Sequence, residues 1–217
     1  MIWLLAIVLV VSVITGCESE PEFNYNSKAK RDFATLPGKI GFTIEMPPDV
    51  LHYVIEKGEL VKVDSLPKAP REAKAISGYI RATGLPPQKD YDYIGPYLGS
   101  PDKRYVAASI TGRRSEMPNG FVIVETETNK IIAVNIGDEI RYMIGLAWSP
   151  DSKWIAVLKD SGRLGWGPLD ILGRLLGHPP VYRTYYLEVA NLAGDVLAHS
   201  KLIWETRDSW GWVVWLE

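Results

Sequence analysis

Two stretches of the chain carry the same motif, and their repetition determines the fold that we expect. Residues 97–107 read YLGSPDKRYVA, and residues 146–156 read LAWSPDSKWIA. Each stretch contains Ser-Pro-Asp, then two residues, then an aromatic residue that begins an apolar run. The motifs are 49 positions apart, counted from Asp102 to Asp151. Self-similarity at such a period is typical of an array of like supersecondary units.

The chemistry of the motif favours a tight turn between two strands. Proline fixes φ at one turn position, and an Asp side chain hydrogen-bonds to backbone amides close to it in sequence. We therefore predict a structural role, rather than acid–base catalysis, for the six motif residues Ser100, Pro101, Asp102, Ser149, Pro150 and Asp151.

Short runs of apolar and β-branched residues separated by turn residues predict strands along most of the chain. The predicted strands cover residues 40–46, 51–56, 60–63, 79–82, 105–110, 121–125, 131–136, 143–148, 154–158, 185–190, 196–199 and 213–216. Grouped around the two motifs, they predict four-stranded antiparallel units, and the clearest repeats span residues 93–136 and 143–199.

This repeat resembles the blade of WD40-like β-propellers of the TolB and PD40 kind. The resemblance implies an all-β fold of propeller-like blades, with Tyr105 and Trp154 packed between neighbouring blades. A weaker copy covers residues 47–54, and a partial copy covers residues 210–215. The total is about three to four blades, whereas closed propellers usually have four to eight. We therefore expect an incomplete or open array, unless an irregular blade near the start completes it, and a homo-oligomer would cover its open edges.

The first sixteen residues are apolar and carry no Asp, Glu, Lys or Arg. Their hydrophobic core is too short to span a bilayer and suits a secretory signal. The sequence Ile14-Thr15-Gly16-Cys17 resembles the cleavage site of bacterial lipoprotein signals, which implies cleavage after Gly16 and acylation of Cys17, including palmitate. An uncleaved N-terminal anchor with an incidental cysteine is the alternative.

We accordingly expect a signal peptide over residues 1–16, a polar tether over residues 17–38 and a β-propeller-like domain over residues 39–217. Lipid on Cys17 would hold the protein at the cell membrane or the outer membrane, facing the periplasm or the cell exterior. Glu18, the residue after the cysteine, leaves the choice between the two membranes open.

Composition excludes several classes of protein. Lys and Arg total 24 and Asp and Glu total 26, a net charge of −2, which argues against a basic nucleic-acid-binding surface. The single cysteine excludes a disulfide framework and a cysteine-rich zinc site.

No catalytic constellation stands out in the sequence. His52, His178 and His199 lie in separate segments without the spacing of metal ligands. Neither a Gly-x-Ser-x-Gly elbow nor a phosphate-binding loop occurs, so we assign no catalytic residue, metal or cofactor.

Two regions are candidates for binding. Residues 161–180 interrupt the second repeat with leucines at helical spacing, which would cover the domain's own core or form a tip for a partner or a membrane, with Arg163, Trp166 and Arg174 contributing. Trp210 and Trp212 would share one face of a strand, either as blade packing or as an aromatic binding surface.

Together these features favour a membrane-anchored, extracytoplasmic lipoprotein of the cell envelope that binds or scaffolds another envelope protein without catalysis. The alternative is an envelope carbohydrate-active or peptidase-associated enzyme or accessory domain, because a fold alone does not decide function.

Overall fold

Antiparallel strands account for most of the chain in the computed structural model, which describes residues 22–25, 27–46, 49–67, 90–112, 119–136, 142–164, 175, 181–205 and 210–217. In chain order its elements are β1 (Glu22–Asn24), α1 (Ser27–Ala34), β2 (Lys39–Met46), β3 (Asp49–Glu56), β4 (Glu59–Val63), β5 (Tyr91–Gly99), β6 (Tyr105–Gly112), β7 (Gly120–Glu125), β8 (Lys130–Ile136), β9 (Tyr142–Trp148), β10 (Trp154–Leu164), β11 (Val181–Asn191), β12 (Val196–Glu205) and β13 (Trp210–Leu216).

The described strands form three antiparallel sheets of similar design. Blade 1 has the strand order β13-β2-β3-β4, blade 2 has the order β5-β6-β7-β8, and blade 3 has the order β9-β10-β11-β12 with β1 added beside β12. Because β9 contacts both β13 and β5, blade 3 lies between the other two. The expected all-β, propeller-like fold is confirmed, and the described blades form an open array.

Blade 1 is assembled from both ends of the chain. β13 pairs antiparallel with β2, so that Val213 lies opposite Phe42 and Leu216 lies opposite Lys39. The indole N–H of Trp215 also donates a 2.7 Å hydrogen bond to the carbonyl of Pro37. The last strand of the chain therefore completes a sheet whose other strands come first in the sequence.

Blade 3 is buried on both faces because another blade packs on each. On β10, Ala156 and Leu158 belong to a core shared with blade 1, whereas Ile155 and Val157 belong to a core shared with blade 2. Successive side chains of a strand point to opposite faces. This two-sided burial explains why the sequence has no polar alternation over residues 154–158.

The innermost strands of blades 1 and 3 approach closely at a glycine. A Cβ on Gly145 of β9 would lie 3.0 Å from the backbone nitrogen of Val213 and 3.3 Å from the Cα of Trp212. An alanine at position 145 would need β13 to give by a few tenths of an ångström, so glycine suits this contact.

The weaker repeat copy predicted over residues 47–54 is out of register with the blades. Asp49 begins β3, so the sequence Pro47-Pro48-Asp49 falls between the second and third strands of blade 1. The Ser-Pro-Asp motifs instead join the first and second strands of blades 2 and 3. Blade 1 has no such connection because its first strand, β13, comes from the other end of the chain.

The folded domain begins before residue 39, which corrects the expected tether over residues 17–38. β1 pairs with β12, and α1 buries Ala29 and Phe33 in the core between blades 1 and 3. The ring centroids of Tyr25 and Phe33 are 5.8 Å apart. Residues 22–25 and 27–38 therefore belong to the domain, and residues 17–21 lie outside the described residues.

Helix α1 packs against the β3–β4 turn. A Cβ on Gly58 would lie 2.2 Å from the carbonyl oxygen of Lys30, so only glycine allows this approach, and its φ of +77° also favours glycine. The Lys30 ammonium and the Glu59 carboxylate form an ion pair of 3.0 Å across the contact.

The predicted insertion over residues 161–180 starts later than expected. β10 continues to Leu164 and pairs with β11 as far as Val181, so residues 161–164 extend a hairpin rather than a loop. The strand predicted over residues 79–82 lies outside the described residues. No described helix has the length and apolar character needed to cross a bilayer.

We predict that Val213→Ala lowers the free energy of unfolding by about 2 kcal/mol, because it empties space in the core that β13 shares with blades 1 and 3. Val213 is 2% exposed. Val61→Ala, on the edge strand β4 where the side chain is 51% exposed, is the matched control and should change stability by less than about 0.5 kcal/mol. Chemical denaturation followed by circular dichroism measures both. Equal losses would show that β13 is not part of the cooperative core.

Candidate functional site

The Ser-Pro-Asp turn of blade 2 is closed by two side chains. The Ser100 hydroxyl accepts a 3.0 Å hydrogen bond from the Tyr105 N–H and donates one of 2.6 Å to the Asp102 carboxylate. The same carboxylate oxygen accepts the Arg104 N–H at 3.1 Å. Serine and aspartate together satisfy backbone donors that a turn leaves without strand partners.

Blade 3 repeats this geometry. The Ser149 hydroxyl accepts from the Trp154 N–H at 2.9 Å and donates to Asp151 at 2.6 Å, while Asp151 accepts the Lys153 N–H at 3.2 Å. Ser152 holds a left-handed φ of +60°, uncommon for a residue with a Cβ. The turn is therefore a defined structure in both blades.

The two turns also join blade 2 to blade 3. The backbone N–H of Asp102 donates to the Ser152 hydroxyl at 3.1 Å, and the Trp148 indole N–H donates to the Leu98 carbonyl at 2.8 Å. The rings of Tyr105 and Trp148 stack with centroids 6.2 Å apart. The motif residues and their neighbours thus hold blades 2 and 3 together.

Several neighbouring groups shift the pKa of the Asp102 carboxyl. Desolvation raises the pKa of its carboxyl, but hydrogen bonds from Ser100, Arg104 and Ser152, together with the positive charge of Arg104, outweigh it and lower the pKa below the ordinary value. The carboxylate therefore stabilises the turn in its charged form.

A buried ion pair lies where blade 3 packs on blade 2. The Lys159 ammonium and the Glu188 carboxylate are 2.5 Å apart, with side chains only 4% and 8% exposed. Lys159 follows Ile155 and Val157 on the face of β10 that packs on blade 2, and Glu188 precedes Ala190 on the same face. Loss of one partner would leave a buried charge uncompensated, so the pair constrains how the blades meet.

The predicted binding residues that the structure describes lie on strands of two different blades. Arg163 lies at the end of β10 in blade 3, whereas Trp210 and Trp212 lie on β13 in blade 1. Trp166 and Arg174 lie outside the described residues, as does Cys17. Whether the two tryptophans bind a ligand stays a prediction.

Trp212 belongs to a polar and aromatic row across blade 1. It lies opposite Thr43, which lies opposite His52, on the face turned away from blade 3. Thr43 Oγ1 and His52 Nδ1 share a hydrogen bond of 2.7 Å, and the rings of His52 and Trp212 are 6.2 Å apart. The Trp212 indole nitrogen is buried and has no acceptor among the described residues.

Three exposed large apolar side chains, more than on any other described strand, lie on β8, the outermost described strand of blade 2. Ile132, Val134 and Ile136 are 37%, 43% and 50% exposed, while Ala133 between them is buried. We call these three residues the β8 stripe. Val134 lies opposite the fully buried Val122 of β7, so the stripe continues the apolar face of blade 2 to its edge.

The edges of the other two blades are protected. The β12 edge of blade 3 is covered by β1. The β4 edge of blade 1 carries Glu59 and Lys62, both exposed, and Glu59 pairs with Lys30 of α1. In contrast, β8 carries one charged residue, Lys130 at its start, and no proline. Charges, prolines and covering segments are the usual means of blocking strand edges.

Sequence reasoning missed the β8 stripe because alternation of apolar residues predicts a strand face without showing whether that face is buried. Its exposure depends on β8 being the last strand of its sheet. Among the described residues, no group of three or more His, Cys, Asp and Glu side chains could hold a metal ion.

No family model and no curated protein matches the chain. An oligogalacturonate lyase from Vibrio parahaemolyticus is similar at 14% identity with a TM-score of 0.30, over 75% of this chain and 36% of the lyase. MucB in complex with MucA is similar at 9% identity with a TM-score of 0.15, over 88% of this chain and 93% of that one. The MucA/MucB complex of Pseudomonas aeruginosa gives 10% identity and a TM-score of 0.15, over 87% and 92%. The chain thus spans about a third of the lyase, and at these TM-scores the likenesses carry no functional argument.

We predict that Asp102→Asn lowers stability at pH 7 by about 0.5–1 kcal/mol, since the hydrogen bonds to a charged carboxylate are weakened. Because the pKa of the folded carboxyl is lowered, its stabilising effect is present above the unfolded pKa of about 3.9 and is lost as the pH falls through the folded value. The difference from the unsubstituted protein should shrink below about pH 4. Urea titrations at several pH values measure it, with Asp64→Asn at an exposed residue after β4 as the charge control. A difference that does not change with pH would contradict the assignment.

Proposed function

We propose that the protein is a lipid-anchored, non-catalytic binding module of the bacterial cell envelope that captures a protein partner at the edge of blade 2. The anchor is Cys17, on the resemblance of residues 14–17 to a lipoprotein cleavage site. The observation that carries the binding role is the β8 stripe on an edge strand with a single charge, beside two edges that the chain protects.

Strand addition is the mode of capture that this surface supports. An edge strand offers backbone N–H and C=O groups to an extended segment, and pockets for alternate side chains give specificity. The partner segment would place apolar side chains on the face of Ile132, Val134 and Ile136. An acidic residue opposite Lys130 would complement the one charge on the strand.

The turns and the buried ion pair supply the rigid scaffold for such an edge. Tyr105, Trp148 and the Asp102–Ser152 hydrogen bond fix blade 2 on blade 3, and the innermost strand of blade 3 in turn contacts β13. A rigid edge loses little conformational entropy when a partner strand is added, so more of the contact energy appears as affinity.

We predict that Val134→Lys abolishes partner capture, because a charge in the centre of the stripe must be desolvated when a strand is added. Crosslinking in intact cells followed by mass spectrometry measures capture, and at least a tenfold loss is expected. Val61→Lys, at a similarly exposed valine on the β4 edge, is the matched control and should retain the partner. Circular dichroism checks that both variants fold. Equal capture by the two variants, or recovery of this protein alone, would overturn the proposal.

We predict that Cys17→Ser moves the protein from the membrane fraction to the soluble fraction and abolishes labelling with radioactive palmitate. Cys17 is the only cysteine, so no second thiol can accept the lipid. Membrane retention of the variant would instead support an uncleaved N-terminal anchor.

A further inference from the structure

β8 is supported on one face of the blade 2 sheet and exposed on the other. The Asn135 side-chain amide donates a 3.1 Å hydrogen bond to the carbonyl of Gly194, in the β11–β12 turn of blade 3. A Cβ on Gly194 would lie 3.4 Å from the Cβ of Ala133, so this turn packs on the same face of β8. Val134 and Ile136 point to the opposite face. Blade 3 therefore supports the edge strand while the β8 stripe stays exposed.

The β8 stripe is symmetric about its central residue, Val134. Ile132 lies two residues before it and Ile136 lies two residues after it. In an antiparallel pair of two β8 strands with Val134 opposite Val134, each Ile132 lies opposite the Ile136 of the other copy. Residues directly opposite each other lie on one face of a sheet. The stripes of the two copies would therefore join into one apolar patch.

Neither charge nor strand irregularity opposes this pairing. Residues 132–136 contain no charged side chain, and Lys130 lies outside them. Like charges directly opposite each other would destabilise an antiparallel pair. The register of β8 against β7 shifts once, at Ile132, so residues 133–136 continue regularly. The centre of the symmetric segment is thus a regular, uncharged strand edge.

A two-fold arrangement also closes on itself. The same patch of each copy is used, so the pairing covers both β8 edges and leaves neither for a third copy. Five residues of each strand would be paired, whereas a stable complex uses roughly 20–30 residues on each side. Such a contact is weak and reversible, which suits an edge that must also be available to a partner.

We infer that β8 pairs with β8 of a second copy of this chain, about a two-fold axis at Val134, and that this pairing competes with the envelope partner. The inference rests on the proposed function, because it concerns the same strand edge. It adds the regulation of that edge, since one strand edge accepts one added strand at a time.

Charge variants at the two-fold axis test the pairing. We predict that Val134→Lys weakens self-association of the purified full chain in detergent about tenfold, because two ammonium groups would lie opposite each other. An equal mixture of Val134→Lys and Val134→Glu chains should recover the association, since opposite charges then face each other. Analytical ultracentrifugation measures both. Val61→Lys on the β4 edge, where the valine is 51% exposed, is the matched control and should leave self-association unchanged.

Disulfide trapping tests the same register without a change of charge. In the full chain carrying Cys17→Ser, Val134→Cys should form a disulfide-linked dimer on mild oxidation about tenfold faster than Val61→Cys, because directly opposite residues have close Cβ atoms. A synthetic peptide with the sequence of residues 130–136 then probes the edge. It should bind the reduced Val134→Cys chain and not the oxidised dimer, and equal binding to both forms would overturn the competition.

The outcomes separate this inference from the proposed function. Failure of the charge mixture to associate, or equal disulfide rates at positions 134 and 61, would overturn the pairing about Val134. Either result is compatible with loss of the envelope partner by Val134→Lys in cells. Self-association with the predicted register, but without an envelope partner in intact cells, would instead support the dimer and overturn the proposed capture.

Discussion

The pairing of β13 with β2 is the constraint on which the rest of the structure depends. It joins the two ends of the chain in one sheet and places β13 against β9, so that blade 1 covers one face of blade 3. The shared core contains Phe42, Leu158 and Val213, and Phe33 of α1 packs into it as well. Without β13, both β2 and the inner surface of blade 3 would be open to water, and α1 would lose part of its support.

The sequence predicts strands well where a local pattern decides them. Turn chemistry at Ser100 and Ser149 marks the start of β6 and β10, and alternation of apolar residues indicates most other strands. The assignment of β13 to blade 1 could not be predicted in this way, because its partner β2 is more than 160 residues away in sequence. The copy of the repeat motif expected at Asp49 was wrong for the same reason. In blade 1 the first strand, β13, and the second strand, β2, come from opposite ends of the chain, so no turn joins them.

Polar residues near the start of the domain misled the sequence interpretation. Lys28, Lys30 and Arg31 make residues 17–38 read as a tether, but Ala29 and Phe33 fall on the opposite side of one helix and are buried. An eight-residue helix is not stable alone, so tertiary packing decides whether it forms. The candidate site shows the same limit: the Ser-Pro-Asp residues could be assigned from chemistry, whereas the β8 stripe depends on strand order.

The strand register of blade 2 restricts how an extended segment could pair with its β8 edge. The hydrogen bond between Asp102 and Ser152 places the Ser-Pro-Asp turns of both blades at the same end. β8 begins near that end, since Lys130 pairs with Glu125, which pairs with Tyr105 at the turn, and β8 ends at Ile136 at the opposite end of the blade. A strand added to β8 would therefore extend along blade 2 from the end that carries the Ser-Pro-Asp turns to the opposite end, with its residues facing Lys130 at the first end and Ile136 at the second.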